Sequence, residues 1–255
     1  MKPPPPHPTI LIYAARSLRF VLPSLVSAFS NMSGVTVETR HGPAGLLRER
    51  IEEGERPDVF LSANFAHPAR LAALGLAQPP VVFARNIIAA AVRRDAGFTT
   101  ANFIDRLLDP AIGIATSTPL KDPSGDYAWA IFRRAEKLRP GSFAILEAKA
   151  QQLIGGSGTA NPPGRYDPIA AALATGSAHV FLGYRTSLKG LAEEVQGVKT
   201  MKIPANLNVV PEYTLVALQD CSLAGMAFAL FILSAAGQKL LQDFGFQPVA
   251  LSKGI

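Results

Sequence analysis

Cysteine is nearly absent: the 255 residues contain one, Cys221. A lone thiol excludes an internal disulfide and any zinc site built on cysteines. The four histidines, His7, His41, His67 and His179, show no ligand spacing, so no metal site is expected. Charged residues are sparse, 17% against 48% hydrophobic, which excludes a disordered polar chain and leaves a globular one with a sizeable core. The net charge of +6 is diffuse: the densest basic pairs are Arg93 with Arg94 and Arg133 with Arg134, and acidic residues lie among them. A nucleic-acid partner, which needs a basic stripe, is therefore not expected. Long apolar runs are also lacking. Residues 223–236 are apolar but fall short of the ~20 residues of a membrane span, and read as a buried helix. The opening MKPPPPHP has no apolar secretion-signal core, which leaves two expectations: a periplasmic protein whose leader has been removed, or a cytoplasmic one.

What the sequence does have is alternation. Apolar runs at 9–13, 34–39 and 58–62 are separated by helical patterns at 18–30 and 46–54, the signature of a parallel α/β sheet. Pro23 sits one turn inside the first helix. After a short helix at 68–74 and strands at 79–83 and 87–92, a second set follows: helix 102–108, strand 111–115, a helix opening at DPSGDYA (122–128) and a helix at 143–153. The Gly- and Pro-rich stretch 155–164 lacks the Lys and Ser/Thr of a P-loop and reads as a surface loop. A helical pattern at 168–174, strands at 178–184, 198–203 and 213–218, and helices at 222–234 and 238–244 complete the chain. Two α/β sets with too few terminal elements for a third domain imply two lobes: 1–84 with 210–255, and 85–209.

The turns carry the chemistry. At DPSGDYA a strand passes into a helix whose first N–H groups suit an anion; Ser124 adds a hydroxyl, Gly125 permits close approach and Tyr127 an aromatic anchor. The same residues equally make an ordinary helix cap, as does Ser17 after the first strand. Trp129, Phe132 and Tyr127 read as core. No nucleophile stands beside a base, and nothing in the sequence pairs Asp58, Asp122 and Asp126, so an enzyme is not expected.

AARSL after the first strand, LLRERIEEG followed by PDVFLSAN, the helix opening DPSGDYA, the strand end LGY and the closing GQKLLQDFGF run in collinear order along nearly the whole chain. Together they resemble the periplasmic molybdate-binding proteins of ABC-type importers. The resemblance implies a two-lobed α/β periplasmic-binding fold, each lobe a mixed, mostly parallel sheet flanked by helices, with the ligand in the cleft between lobes. It further implies a monomer that binds molybdate or tungstate without a cofactor and hands it to a membrane permease. Residue by residue, it implies an anion held by the Ser17 hydroxyl and N–H, the Ser124 N–H, a second helix start at Tyr166, and the Tyr184 hydroxyl. At the second turn, where the family often has serines, this chain has Gly42, Pro43, Ala44 and Gly45, so the N–H groups of Ala44 and Gly45 would serve. Arg16, His41 and Lys121 are unusual beside a neutral site; Arg16, His41 and Asp167 are additional ligand candidates. A cage for a fully deprotonated oxyanion needs many donors and no carboxylate, and withholding carboxylates is what rejects phosphate. An enzyme or a ligand-sensing domain on the same fold, binding sulfate, phosphate or an organic anion, stays open as an alternative.

Overall fold

The computed structural model describes residues 8–155 and 168–249. The chain divides into two units, Met1–Arg85 with Glu212–Ile255, and Asn86–Pro211. The first is built on β1 (Thr9–Ala15), whose Ile10, Ile12, Tyr13 and Ala14 are buried, as suits an apolar strand covered on both faces. β2 (Thr36–Gly42) lies parallel on one side, with Ala15 opposite Gly42; β3 (Val59–Ser62), wholly buried, lies parallel on the other, with Ala14 opposite Leu61. β10 (Glu212–Ala217) pairs antiparallel with β3, and β4 (Val81–Arg85) and β11 (Gln247–Pro248) extend the sheet antiparallel beyond it. The antiparallel share exceeds what strand–helix alternation alone suggests, because β10 returns late in the chain to insert between β3 and β4.

Helices α1 (Leu22–Ser33), α2 (Ala44–Glu52), α3 (Ala66–Ala73), α9 (Leu223–Leu233) and α10 (Ala235–Asp243) belong to this unit. α1 starts later than the pattern at 18–30 predicts: residues 16–18 form a 3-10 turn and Pro23 falls in the first turn of α1, where its missing N–H costs nothing. The expectation of a buried helix near residue 223 holds for one face. Phe228 and Phe231 pack their rings 5.2 and 5.7 Å from that of Phe29, whereas Leu223 is 91% and Leu230 62% exposed. No single helix among the described residues is long and apolar enough to cross a membrane.

The second unit has the strand order β7-β6-β8-β5-β9. β6 (Ile114–Ser117) runs parallel to β7 (Ala150–Ile154) and β8 (Val180–Tyr184); β5 (Ile88–Arg93) is antiparallel to β8 and β9 (Val198–Lys202). Its helices are α4 (Phe103–Leu108), α5 (Pro123–Leu138), α6 (Ser142–Lys149), α7 (Pro168–Thr175) and α8 (Arg185–Glu194). The helix expected at 143–153 ends at Lys149, whose Nζ donates to the carbonyls of Leu107 and Asp109; the following residues become the edge strand β7. α8 and β11 were not anticipated. Phe132 and Trp129 are core, the indole donating to Glu147 at 2.9 Å, but Tyr127 is only half-buried.

Candidate functional site

In the first unit, parallel pairing ends β1, β2 and β3 along one edge of the sheet, where ligand-binding turns gather in α/β folds. Arg16 and Ser17 occupy the 3-10 turn after β1. Arg16 is half-buried, with its Nη1 out of solvent. After β2, Pro43 is the N-cap of α2 and supplies no side-chain acceptor, so Ala44 and Gly45, both buried, open the helix without a side-chain cap. After β3, Ser62 Oγ accepts from the Asn64 N–H at 3.2 Å and Asn64 Oδ1 accepts from the His67 N–H at 3.2 Å, which shapes the entry to α3.

β10 starts at the same edge, because it runs antiparallel to β3, and there the Tyr213 hydroxyl donates to Ser17 Oγ at 2.8 Å. Tyr213 is fully buried, with its ring edge-on to those of Phe83 and Phe246. With Ser17 Oγ accepting from Tyr213, its own proton is left for another acceptor, so Ser17 can serve as a donor. Sequence reading missed Tyr213: it looks like any strand aromatic, and its partner lies 196 residues away. His41, at the end of β2, bonds to the Ala15 backbone. Partial burial lowers its pKa below the ordinary histidine value and the nearby Arg19 cation adds to this, which favours the neutral imidazole.

In the second unit the strand ends of β6 and β8 and the helix starts of α5 and α8 form the corresponding edge. α5 begins under tight packing, since a Cβ at Gly125 would stand 2.5 Å from the Ser117 carbonyl oxygen. Asp126 Oδ1 accepts from the Leu120 N–H at 2.7 Å. That bond holds a turn in which Leu120, alone among the described non-glycine residues, has a positive φ, of 66°. Ser124 is 5% exposed, and among the described residues its Oγ has no hydrogen-bond partner; the same is true of the buried Thr118 Oγ1. Tyr184, 4% exposed, ends β8 as the N-cap of α8, with its ring edge-on to Tyr127 at 6.2 Å.

The structure differs from the expected neutral cage at one point. The Ser124 N–H, which the resemblance gives to the anion, donates to Asp122 Oδ1 at 3.0 Å. Aspartate is among the strongest N-caps and favours the positive end of the helix dipole, so a carboxylate stands where none was expected. Tyr166 and Asp167 lie outside the described residues. Asp58 is engaged structurally: it accepts from the Leu11 N–H, the Ser222 N–H and the Ser222 hydroxyl, tying β1 to the start of α9. Burial, with Asp58 adding, pushes the Cys221 thiol up to about 11, which makes it a poor nucleophile. Among the described residues no three His, Cys, Asp or Glu side chains are grouped to hold a metal.

Comparison with known proteins agrees with this architecture. A protein of Pasteurella multocida (strain Pm70), itself uncharacterized, is 33% identical over 238 residues, 93% of this chain and 98% of that one. Three solved structures share the fold. The sulfate-binding protein SubI from Mycobacterium tuberculosis H37Rv has a TM-score of 0.77 at 19% identity, covering 95% of this chain and 88% of that one. The Azotobacter vinelandii periplasmic molybdate-binding protein has 0.72 at 17%, covering 95% and 100%. The periplasmic binding protein AfuA from Actinobacillus pleuropneumoniae, with fructose-6-phosphate bound, has 0.73 at 16%, covering 94% and 84%. Residues 10–247 match the family described as bacterial extracellular solute-binding protein, and the chain belongs to that family.

Proposed function

We propose that this protein is the periplasmic receptor of an ABC-type importer, a monomer that binds a tetrahedral oxyanion and delivers it to a membrane permease. The sequence resemblance nominates molybdate and tungstate as that anion. The observation that carries the reading is the bond from Tyr213 to Ser17, a buried tyrosine that orients a strand-end hydroxyl to donate. Around it the uncapped start of α2 at Ala44 and Gly45 supplies further N–H groups. The buried hydroxyls of Ser124 and Thr118 are the corresponding groups of the second unit. Members of the family bind their transported solute without a cofactor, and none is needed here.

Native mass spectrometry with molybdate, tungstate, sulfate and phosphate offered together tests the reading; a protein that retains none of them sinks it. Ser17→Ala is expected to weaken binding by about 1 to 3 kcal/mol, because it removes a donor to a charged ligand. Tyr213→Phe is expected to weaken it by about 1 kcal/mol, because Ser17 is then free to rotate. Titration calorimetry read beside thermal melts separates these losses from loss of fold. Wild-type affinity in Ser17→Ala removes that hydroxyl from the site.

A further inference from the structure

Beyond that reading, which concerns what a single chain binds, we propose that two such chains associate through the open edge of β2, antiparallel about Thr39, in a symmetric pair with one continuous sheet. β2 ends the strand order β11-β4-β10-β3-β1-β2, and among the described residues it pairs with β1 alone. Glu38, Thr39 and Arg40 are exposed on it. The Thr36 N–H donates to the Pro8 carbonyl, on the β1 side, at 3.0 Å. Backbone groups alternate sides along a strand, so those of Glu38 and Arg40 also face β1, while Val37, Thr39 and His41 turn their N–H and C=O groups to the open edge. The side chains of these same three residues line a groove of about 450 Å³ with Ser27, Ser30 and Asn31 of α1, which leaves room for the side chains of an added strand.

The charges select a second copy as the occupant, and they select its register. An axis between two residues would set outward backbone groups against inward ones, so the two-fold axis passes through a residue. With most of β2 overlapping, that residue is Glu38, Thr39 or Arg40. An axis at Glu38 sets that carboxylate against its own copy, and one at Arg40 sets guanidinium against guanidinium; both arrangements are destabilising. An axis at Thr39 uses the whole strand and places Glu38 opposite Arg40 of the partner subunit, twice, in the non-hydrogen-bonded pairs where side chains stand closest. Thr39 then exchanges both backbone bonds with its counterpart, and Val37 does so with His41 of the partner subunit. Arg40 Nη1 is 3.1 Å from the Tyr13 hydroxyl and 3.5 Å from Glu55, and a guanidinium has donors enough for a second carboxylate. Charge ordinarily guards an edge strand. Here a Glu and an Arg two residues apart refuse most strands and admit their own copy.

The test is sedimentation velocity of the full chain at low salt, from micromolar concentrations up to about 1 mM. The wild type is expected to show a share of dimer that rises with concentration and falls when salt is added. Glu38→Arg sets arginine against Arg40, and Arg40→Glu sets glutamate against Glu38, so each alone should weaken self-association at least about tenfold. Mixing the two variants restores both unlike pairs, and the mixture should form a heterodimer where neither variant pairs with itself. Thr39→Pro should abolish pairing and keep the fold, because it removes an N–H that faces outward and not one that bonds β1. Thermal melts check the fold of each variant. If Arg40→Glu unfolds with the loss of its bond to Tyr13, Glu38→Arg and Thr39→Pro decide the matter. A wild type that stays monomeric over the whole range overturns the proposal, as does a dimer that Glu38→Arg and Thr39→Pro leave as tight as before. Anion binding is measured separately, and neither result bears on it.

Discussion

Gly125→Ala is expected to lower the unfolding free energy by about 3 kcal/mol, the upper range for forcing atoms into a filled space. The added Cβ would stand 2.5 Å from the Ser117 carbonyl oxygen, 2.6 Å from the Thr118 carbonyl carbon and 2.7 Å from the Pro119 nitrogen. All three are backbone atoms of the turn between β6 and α5, so no side-chain rotation relieves the contact. Alanine is a better helix former than glycine by about 1 kcal/mol, and that gain is too small to reverse the sign. Gly190 in α8 is the matched control: a Cβ there meets nothing within 4 Å, so Gly190→Ala should stabilise by about 0.5 to 1 kcal/mol. Urea unfolding of both variants decides the matter, and a Gly125→Ala protein as stable as wild type would show that the turn yields. Because Ser124 rides on the same turn, any shift that accommodates the methyl group should also weaken the anion binding proposed for its hydroxyl.

How much of this was legible depended on whether a segment's surroundings are local. β1, β3 and β8 are short apolar runs bounded by turns, buried on both faces, and were readable as strands from composition alone. DPSGDYA was readable as a helix start because its Asp, Pro and Gly act within one turn. Even there the bond from the Ser124 N–H to Asp122 was not read, since a resemblance carries over a family's donors and not a local aspartate that caps one of them. β7 was hidden at the end of a helical pattern; its strand character comes from pairing with the edge of β6, which the sequence does not display. LAGMAFALFIL is apolar all round, so nothing in it said that Leu223 and Leu230 face solvent while Phe228 does not. Tyr213 and Ser17 meet only after β10 has returned beside β3.

Acid should destabilise this protein well above the range where carboxylates titrate, and His67 should be the main cause. It lies on α3 at 5% exposure, its backbone N–H donates to Asn64 Oδ1, and its ring Nε2 has no hydrogen-bond partner among the described residues. Burial first, and the Arg48 cation second, push its pKa down to about 4 from 6.5, against the opposing pull of Glu49 and Glu52. Between those two values the unfolded chain binds a proton at this site and the folded protein does not. Stability is therefore complete above about pH 6.5, falls as the pH drops toward about 4, and loses nothing more to this group below it. At about 1.4 kcal/mol for each pH unit the full loss is about 3 kcal/mol. His41, also lowered, adds to the loss in the same direction. Glu52, held down chiefly by its bond to Arg70, acts only below its ordinary value of 4.5, so the interval from pH 6.5 to 4.5 belongs mainly to the histidines. Urea midpoints measured at steps from pH 7 to 4.5 should fall for the wild type. They should fall much less for His67→Gln, which does not titrate there. A flat wild-type profile, or an equal slope in His67→Gln, would mean that His67 takes up its proton without cost in the folded state.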